Sequence, residues 1–144
     1  MADRKLSLRI VSPRSATDKK PYRLQKSSDL VILRCVSGDL GVMAGRTPCV
    51  MALDSGVLRY FDEGREHFLA VMGGVAHVKG DAVTVLTDSA LEPKEIDAAE
   101  VGARLRAAEE KAAAEHDPIK KAALKSELRG LRVQLEVAGK RAEK

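Results

Sequence analysis

Three histidines, His67, His77 and His116, and two cysteines, Cys35 and Cys49, are the residues from which metal or nucleophilic chemistry would have to be built. Their spacing supports neither. Zinc sites draw on closely spaced Cys or His pairs, whereas these five residues are scattered along the chain. A cupin-like metal centre would need several His and carboxylate ligands converging, which this sequence does not offer. No metal site, cofactor or enzymatic activity is therefore expected, and the cysteines read as small, half-buried hydrophobes rather than a disulfide. The stretch Gly38-Asp39-Leu40-Gly41-Val42-Met43-Ala44-Gly45-Arg46-Thr47-Pro48 invites comparison with a phosphate loop, but it lacks the Gly-Lys-Ser/Thr ending. Its glycines and proline dictate backbone shape, not chemistry.

Composition narrows the function classes further. Tyr22, Tyr60, Phe61 and Phe68 are the only aromatic residues, so base-stacking surfaces are not expected. Lys and Arg total 25 against 21 Asp and Glu, and the basic residues are dispersed, so the net charge of +4 does not point to nucleic acid. No apolar run approaches the ~20 residues that a membrane-spanning helix needs. With nothing resembling a signal peptide, the expected compartment is the reducing cytoplasm, and any membrane contact would come through a partner.

The elements that must position these residues fall into two kinds. Leu6–Val11 alternates apolar and polar side chains before Pro13, and Leu30–Val36 returns to strand composition after a polar, basic segment from Arg14 to Ser28. Beyond Pro48, strands are expected at Cys49–Leu53, Val57–Phe61, His67–Met72, Val75–Val78 and Ala82–Thr87. Turns are expected at Asp54-Ser55-Gly56, Asp62-Glu63-Gly64-Arg65, Gly73-Gly74 and Lys79-Gly80-Asp81. Short strands at this spacing indicate two packed sheets.

At Leu91-Glu92-Pro93 the composition shifts to Ala, Glu, Lys, Arg and Leu, as at a domain boundary. Val101, Leu105, Ala108 and Ala112 recur at helical spacing, and so do Leu124, Leu128, Leu131, Leu135, Ala138 and Ala142. Asp117 suits a helix N-cap and Pro118 the first helical position. The alternating steps of four and three in the second series give a coiled-coil-like seam, thinned by the alanines opposite and by Gly102, Gly130 and Gly139. The expected fold is α+β: an N-terminal antiparallel β-sandwich over residues 1–90, then a two-helix hairpin over 91–144. From Lys120 onward the second helix carries an excess of basic residues, suited to an acidic partner.

These features together resemble the epsilon subunit of F-type ATP synthases, called delta in mitochondria. Gly38 to Pro48 is similar to the family's Gly-x-Leu-Gly-Ile-Leu-Pro-Gly-His-Ala-Pro stretch, with Ala44 and Arg46 replacing proline and histidine. Ser55-Gly56-Val57-Leu58, Val71-Met72-Gly73-Gly74-Val75 and Val83 to Ala90 follow in family order, and Glu95-Ile96-Asp97 opens the first helix.

The resemblance implies a non-catalytic rotor subunit on the cytoplasmic face of the bacterial inner membrane, held peripherally by the gamma subunit and the c-ring. There it would couple proton-driven rotation to ATP synthesis. It also implies that the hairpin can extend into the alpha/beta hexamer and inhibit ATP hydrolysis, with Lys121, Lys125, Arg129 and Arg132 as docking residues. On the sandwich, Gly38, Leu40, Gly41, Gly45 and Arg46 are the implied partner contacts. Some relatives bind ATP through an Ile/Leu-Asp-x-x-Arg-Ala motif. Here Ile96-Asp97 is followed by Glu100 in place of the arginine, and a carboxylate repels phosphate. With Ile96, Asp97, Arg129 and Arg132 as the remaining candidates, ATP binding is expected to be weak or absent. The competing reading is a free-standing interaction module assembled through its coiled-coil hairpin.

Overall fold

The computed structural model describes residues 4–13 and 24–140, and structural statements refer to these. Most of the basic segment singled out in the sequence, residues 14–23, lies outside them, as does Ala142 of the expected seam. The strands are β1 (Leu6–Val11), β2 (Leu24–Ser28), β3 (Leu30–Cys35), β4 (Gly38–Val42), β5 (Cys49–Asp62), β6 (Arg65–Lys79), β7 (Ala82–Leu86) and β8 (Ala90–Leu91). A single 3-10 turn, Pro93–Glu95, leads to helices α1 (Ala98–Ala114) and α2 (Pro118–Ala138). A β-sheet domain followed by a helical hairpin is the architecture expected from the sequence, but the sheet is mixed where an antiparallel one was expected.

The strands follow the order β2-β1-β7-β6-β5-β3-β4, with β8 added beside β6. All pairs are antiparallel except β1 and β7, which run parallel from Ser7 opposite Ala82 to Val11 opposite Leu86. A parallel pair needs a long connection. Here that connection is most of the strand-rich region, which is why local sequence spacing did not reveal it. Leu6, Leu8 and Ile10 of β1 share one buried cluster with Val31 and Leu33 of β3 and Val42 of β4, from the opposite end of the strand order. The sheet therefore folds over on itself and encloses an aliphatic core.

Two of the expected turns are absent, and their absence makes this folding possible. Asp54-Ser55-Gly56 and Gly73-Gly74 do not end strands; β5 and β6 run through them as strands of 14 and 15 residues in continuous register, Leu53 opposite Gly74 and Ser55 opposite Met72. What changes there is the side-chain alternation. The core takes Met51 and Leu53 before the break but Leu58 and Tyr60 after it, and Leu69 and Val71 but then Ala76 and Val78 on β6. A shift of parity in both strands at one level bends the pair so that each half serves a different layer. By contrast, the Asp62–Arg65 turn forms as expected, with Glu63 and Gly64 at φ of 51° and 78°, the left-handed pair of a type I′ hairpin.

Ion pairs fasten one end of the fold. Lys5, ahead of β1, reaches Asp29 at 2.8 Å and Asp62 at 2.6 Å, joining the β2–β3 bend to the β5–β6 turn. The Lys5 ammonium draws the Asp29 carboxyl below the usual carboxylate range, helped by the Glu63 N–H that donates to it. This contribution is complete above the ordinary carboxylate range and is lost as pH falls through the depressed value.

Gly74 is the tightest point of the bend. Its φ is 120°, and a Cβ there would collide with the Leu86 carbonyl oxygen on β7. Gly74→Val is expected to cost at least about 3 kcal/mol, combining backbone strain with a clash against main chain. Thermal unfolding followed by circular dichroism should show a midpoint lower by roughly 10 °C; an unchanged midpoint would refute this role for the bend.

Candidate interaction surfaces

The glycine stretch forms a hairpin and the loop beyond it. Gly38, at φ 125°, starts β4 after the two-residue turn Val36-Ser37, and Arg34 and Asp39 face each other across the hairpin at 3.2 Å. Leu40 packs against the main core, whereas Gly41 is exposed and a Cβ there would make only an ordinary contact with Leu30. Gly45, at φ 88°, donates its N–H to Asp81 Oδ1 at 3.2 Å. Asp81 is also gripped by two guanidinium nitrogens of Arg4 at 2.6 and 3.2 Å. That guanidinium holds the Asp81 carboxyl below the ordinary range. The loop is thus fastened to the β6–β7 turn while Met43, Arg46, Thr47 and Pro48 face solvent.

A second surface was not singled out from the sequence. On the outer face of the β5-β6-β7-β1 sheet, Ala52, Val75, Leu86 and Val11 lie directly opposite one another in register. Val50 and His77 form the adjoining row. Val75 is 40% exposed, Leu86 48% and Val50 67%. The helices do not cover this face. The signal for it was present in Cys49–Leu53, which is apolar at every position, whereas a strand with one solvated face alternates.

On α2 the four candidate cations run along one side at intervals of four, four and three. Lys121 and Lys125 are exposed. Arg129 pairs with Asp54 of β5 at 3.1 Å, and Arg132 with Glu109 of α1 at 3.6 Å. A shallow cleft of about 490 Å³ lies along Lys125, Arg129 and Arg132.

The ATP candidates are not brought together. Asp97 spends its carboxylate as the N-cap of α1, accepting from the N–H groups of Ala99 and Glu100 at 3.1 and 3.2 Å. Ile96 is half-buried between hairpin and sheet, beside a different cleft of about 510 Å³ lined by Tyr60, His67, Phe68, Glu92 and Lys140. There Tyr60 and His67 stack at 4.8 Å, and Lys140 Nζ lies 5.0 Å from the centre of the Phe68 ring. Burial pushes the Tyr60 hydroxyl up to about 12, so it stays neutral. Of the two thiols, Cys35 is buried, which raises its pKa, and Cys49 is half-buried.

This geometry can be set beside known proteins. Residues 5–93 match the family model of the ATP synthase delta/epsilon chain beta-sandwich domain. The chain belongs to the ATP synthase delta/epsilon chain family. It is 40% identical to the ATP synthase epsilon chain of a Synechococcus species over 103 residues, 72% of this chain and 71% of that one. With the epsilon chain of a Cyanothece species the identity is 32% over 138 residues, 93% and 95% of the two chains, so that match runs through the helices. Among solved structures, a chain of the Euglena gracilis mitochondrial ATP synthase superposes with a TM-score of 0.75 at 25% identity, covering 93% of this chain and 81% of that one. A chain from the Tetrahymena thermophila mitochondrial ATP synthase, at 15% identity and a TM-score of 0.58, covers 96% of this chain and 99% of that one and shares the fold.

In this epsilon-type chain the hairpin forms as its caps foretold. Asp117 accepts the Ile119 N–H at 2.9 Å with Pro118 at the first helical position, and the Glu115 carboxylate accepts the N–H groups of His116 and Asp117 to fix the connection. The seam buries Val101, Ala108 and Ala112 against Leu128 and Leu131. Two of the glycines have other roles than weakening helix interiors. Gly139 is the C-cap of α2, and Gly130 is buried where α2 crosses β6. A second face of α2, Val133 and Val137, packs on Phe68 and Ala70, so α2 lies between α1 and the sheet.

A Cβ on Gly130 would come within 2.9 Å of Met72 Sδ. Because methionine is flexible, Gly130→Ala should be tolerated, while Gly130→Val should loosen the hairpin from the sheet by roughly 1–3 kcal/mol. Met72→Ala should restore most of the Gly130→Val loss. A double-mutant cycle read by urea unfolding tests this, and fully additive effects would refute the contact.

Proposed function

We propose that this chain is the non-catalytic rotor subunit at the foot of the central stalk of its ATP synthase, a peripheral protein on the cytoplasmic face of the bacterial inner membrane. In this reading its sandwich binds the gamma subunit and the c-ring and couples rotation to ATP synthesis. Family membership supports the assignment. The observation that carries the docking is the uncovered apolar row of Ala52, Val75, Leu86 and Val11. Exposed apolar side chains aligned across neighbouring strands are a surface that association with another protein would desolvate. We assign this face to gamma, and the fastened loop with Gly38, Leu40, Gly41, Gly45 and Arg46 to the base of the stalk and the ring.

A charge placed within the row would be buried without a partner on assembly. Val75→Asp and Leu86→Asp should therefore leave the isolated chain folded, since exposed substitutions usually change stability by only about 0.5 kcal/mol. Recovery with gamma should fall by more than about tenfold. Undiminished co-purification would overturn the assignment.

We further propose that the hairpin restrains ATP hydrolysis by reaching an acidic segment of the alpha/beta hexamer, with Lys121, Lys125, Arg129 and Arg132 as contacts. The alignment of these cations on one side of α2 supports this. ATP has a poor site in this arrangement, because Asp97 is committed to its helix cap, Glu100 replaces an arginine, and Arg129 and Arg132 already face carboxylates. Removal of residues 94–144, which leaves β8 in place, should raise the hydrolysis rate of the reconstituted enzyme severalfold. The charge reversals Lys121→Glu and Lys125→Glu together should do the same in the full-length chain. Unchanged hydrolysis with both would sink the regulatory reading.

A further inference from the structure

Arg129 sits next to Gly130, which is buried against Met72 of β6, and its guanidinium Nη1 lies 3.1 Å from Asp54 Oδ1. Asp54 occupies the level of β5 at which the alternation of side chains shifts. Its Oδ1 also accepts the N–H of Ser55 at 2.9 Å, which pre-orients the carboxylate at little further entropic cost. The other candidate arginine is held differently. Arg132 pairs with Glu109 inside the hairpin, so that contact survives any movement of the hairpin as a unit. Among the described residues, Asp54–Arg129 is the ion pair that joins α2 to the strands.

We propose that Asp54 is an internal latch: its carboxylate occupies Arg129 while the hairpin lies on the sheet, and the hairpin cannot present Arg129 to an acidic partner without giving up this contact. The second clause rests on the regulatory reading above; the latch itself does not. Asp54 then acts as a competitor in the same chain for the side chain an acidic partner would take. Both partners are partly exposed, with side-chain exposures of 37% for Asp54 and 60% for Arg129. A pair of this kind biases an equilibrium by about two- to fivefold, and salt weakens it. It is a bias on the closed state, not a lock.

The test uses the full-length chain carrying Val137→Cys, since Val137 is fully buried in the contact between hairpin and sheet. The rate at which a thiol reagent labels this position reports the open population, with the parent chain supplying the background from Cys35 and Cys49. Asp54→Asn, nearly isosteric, should raise the rate about two- to fivefold, and Arg129→Gln should do likewise. Combining them should add nothing further, and 0.5 M salt should bring the rate of the Val137→Cys chain close to that of the same chain carrying Asp54→Asn. Val133→Cys provides a second reporter on the same helix face. Unchanged labelling in Asp54→Asn, or additive effects of the two substitutions, would overturn the latch.

Hydrolysis by the reconstituted enzyme separates the two proposals. If Asp54→Asn opens the hairpin without altering hydrolysis, the latch stands and the inhibitory reading falls. If Arg129→Gln relieves inhibition while Asp54→Asn leaves labelling unchanged, the latch falls and the inhibitory reading stands.

Discussion

The bend shared by β5 and β6 is the constraint on which the other features depend. Two paired strands of 14 and 15 residues are too long to serve one layer of so small a fold, and the parity shift near Asp54 and Gly73 divides them between two. Below the bend their outer faces meet the helices, through Val57, Phe68, Ala70 and Met72. Above it the corresponding outer face carries Val50, Ala52 and Val75 to solvent. One distortion thus generates the enclosed core, the seat for α2 and the uncovered apolar row. Because Gly74 has no space for a Cβ against the Leu86 carbonyl, the distortion is written into backbone packing and is not a matter of loose strand ends.

Much of this was legible in the sequence, and the exceptions have physical causes. Strand composition, the Asp62–Arg65 turn and the Asp117-Pro118 cap were readable because each is a local rule, satisfied within a few residues. Asp54-Ser55-Gly56 was misread because a Gly after polar residues looks the same in a turn and in a mid-strand bend; the partner strand decides, and it is not local. The parallel β1–β7 pair was hidden for the same reason. Gly130 looked like a defect in a helix, since propensity counts only the helix. Its value lies in letting α2 approach Met72.

The candidate surfaces divide in the same way. Family resemblance directed attention to glycines and cations, which are conspicuous residue types. The apolar row was less conspicuous because Val and Leu are the ordinary material of strands, and its members come from four strands that only the register brings together. On α2 the four cations lie along one side of the helix, but nothing local in the chain reveals that Arg129 and Arg132 face Asp54 and Glu109. Pairing across 75 residues is a property of the folded chain.

Burial also ranks the parts by how readily they separate. Among the described residues, the enclosed core gathers seventeen buried residues from seven strands, whereas the hairpin seam buries five and the contact between hairpin and sheet three, of which Ala70 is small. Val137 is the large side chain that α2 buries fully in that last contact, and full burial of such a residue stabilises by about 1.5–3 kcal/mol. The exposed Asp54–Arg129 pair adds at most about 1 kcal/mol. Separating α1 from α2 would instead expose Val101, Leu128 and Leu131 together with their half-buried neighbours Leu105, Leu124 and Leu135. The hairpin should therefore leave the sheet as a unit before it splits, so that the Arg132–Glu109 pair travels with it while Arg129 gives up its partner on the sheet.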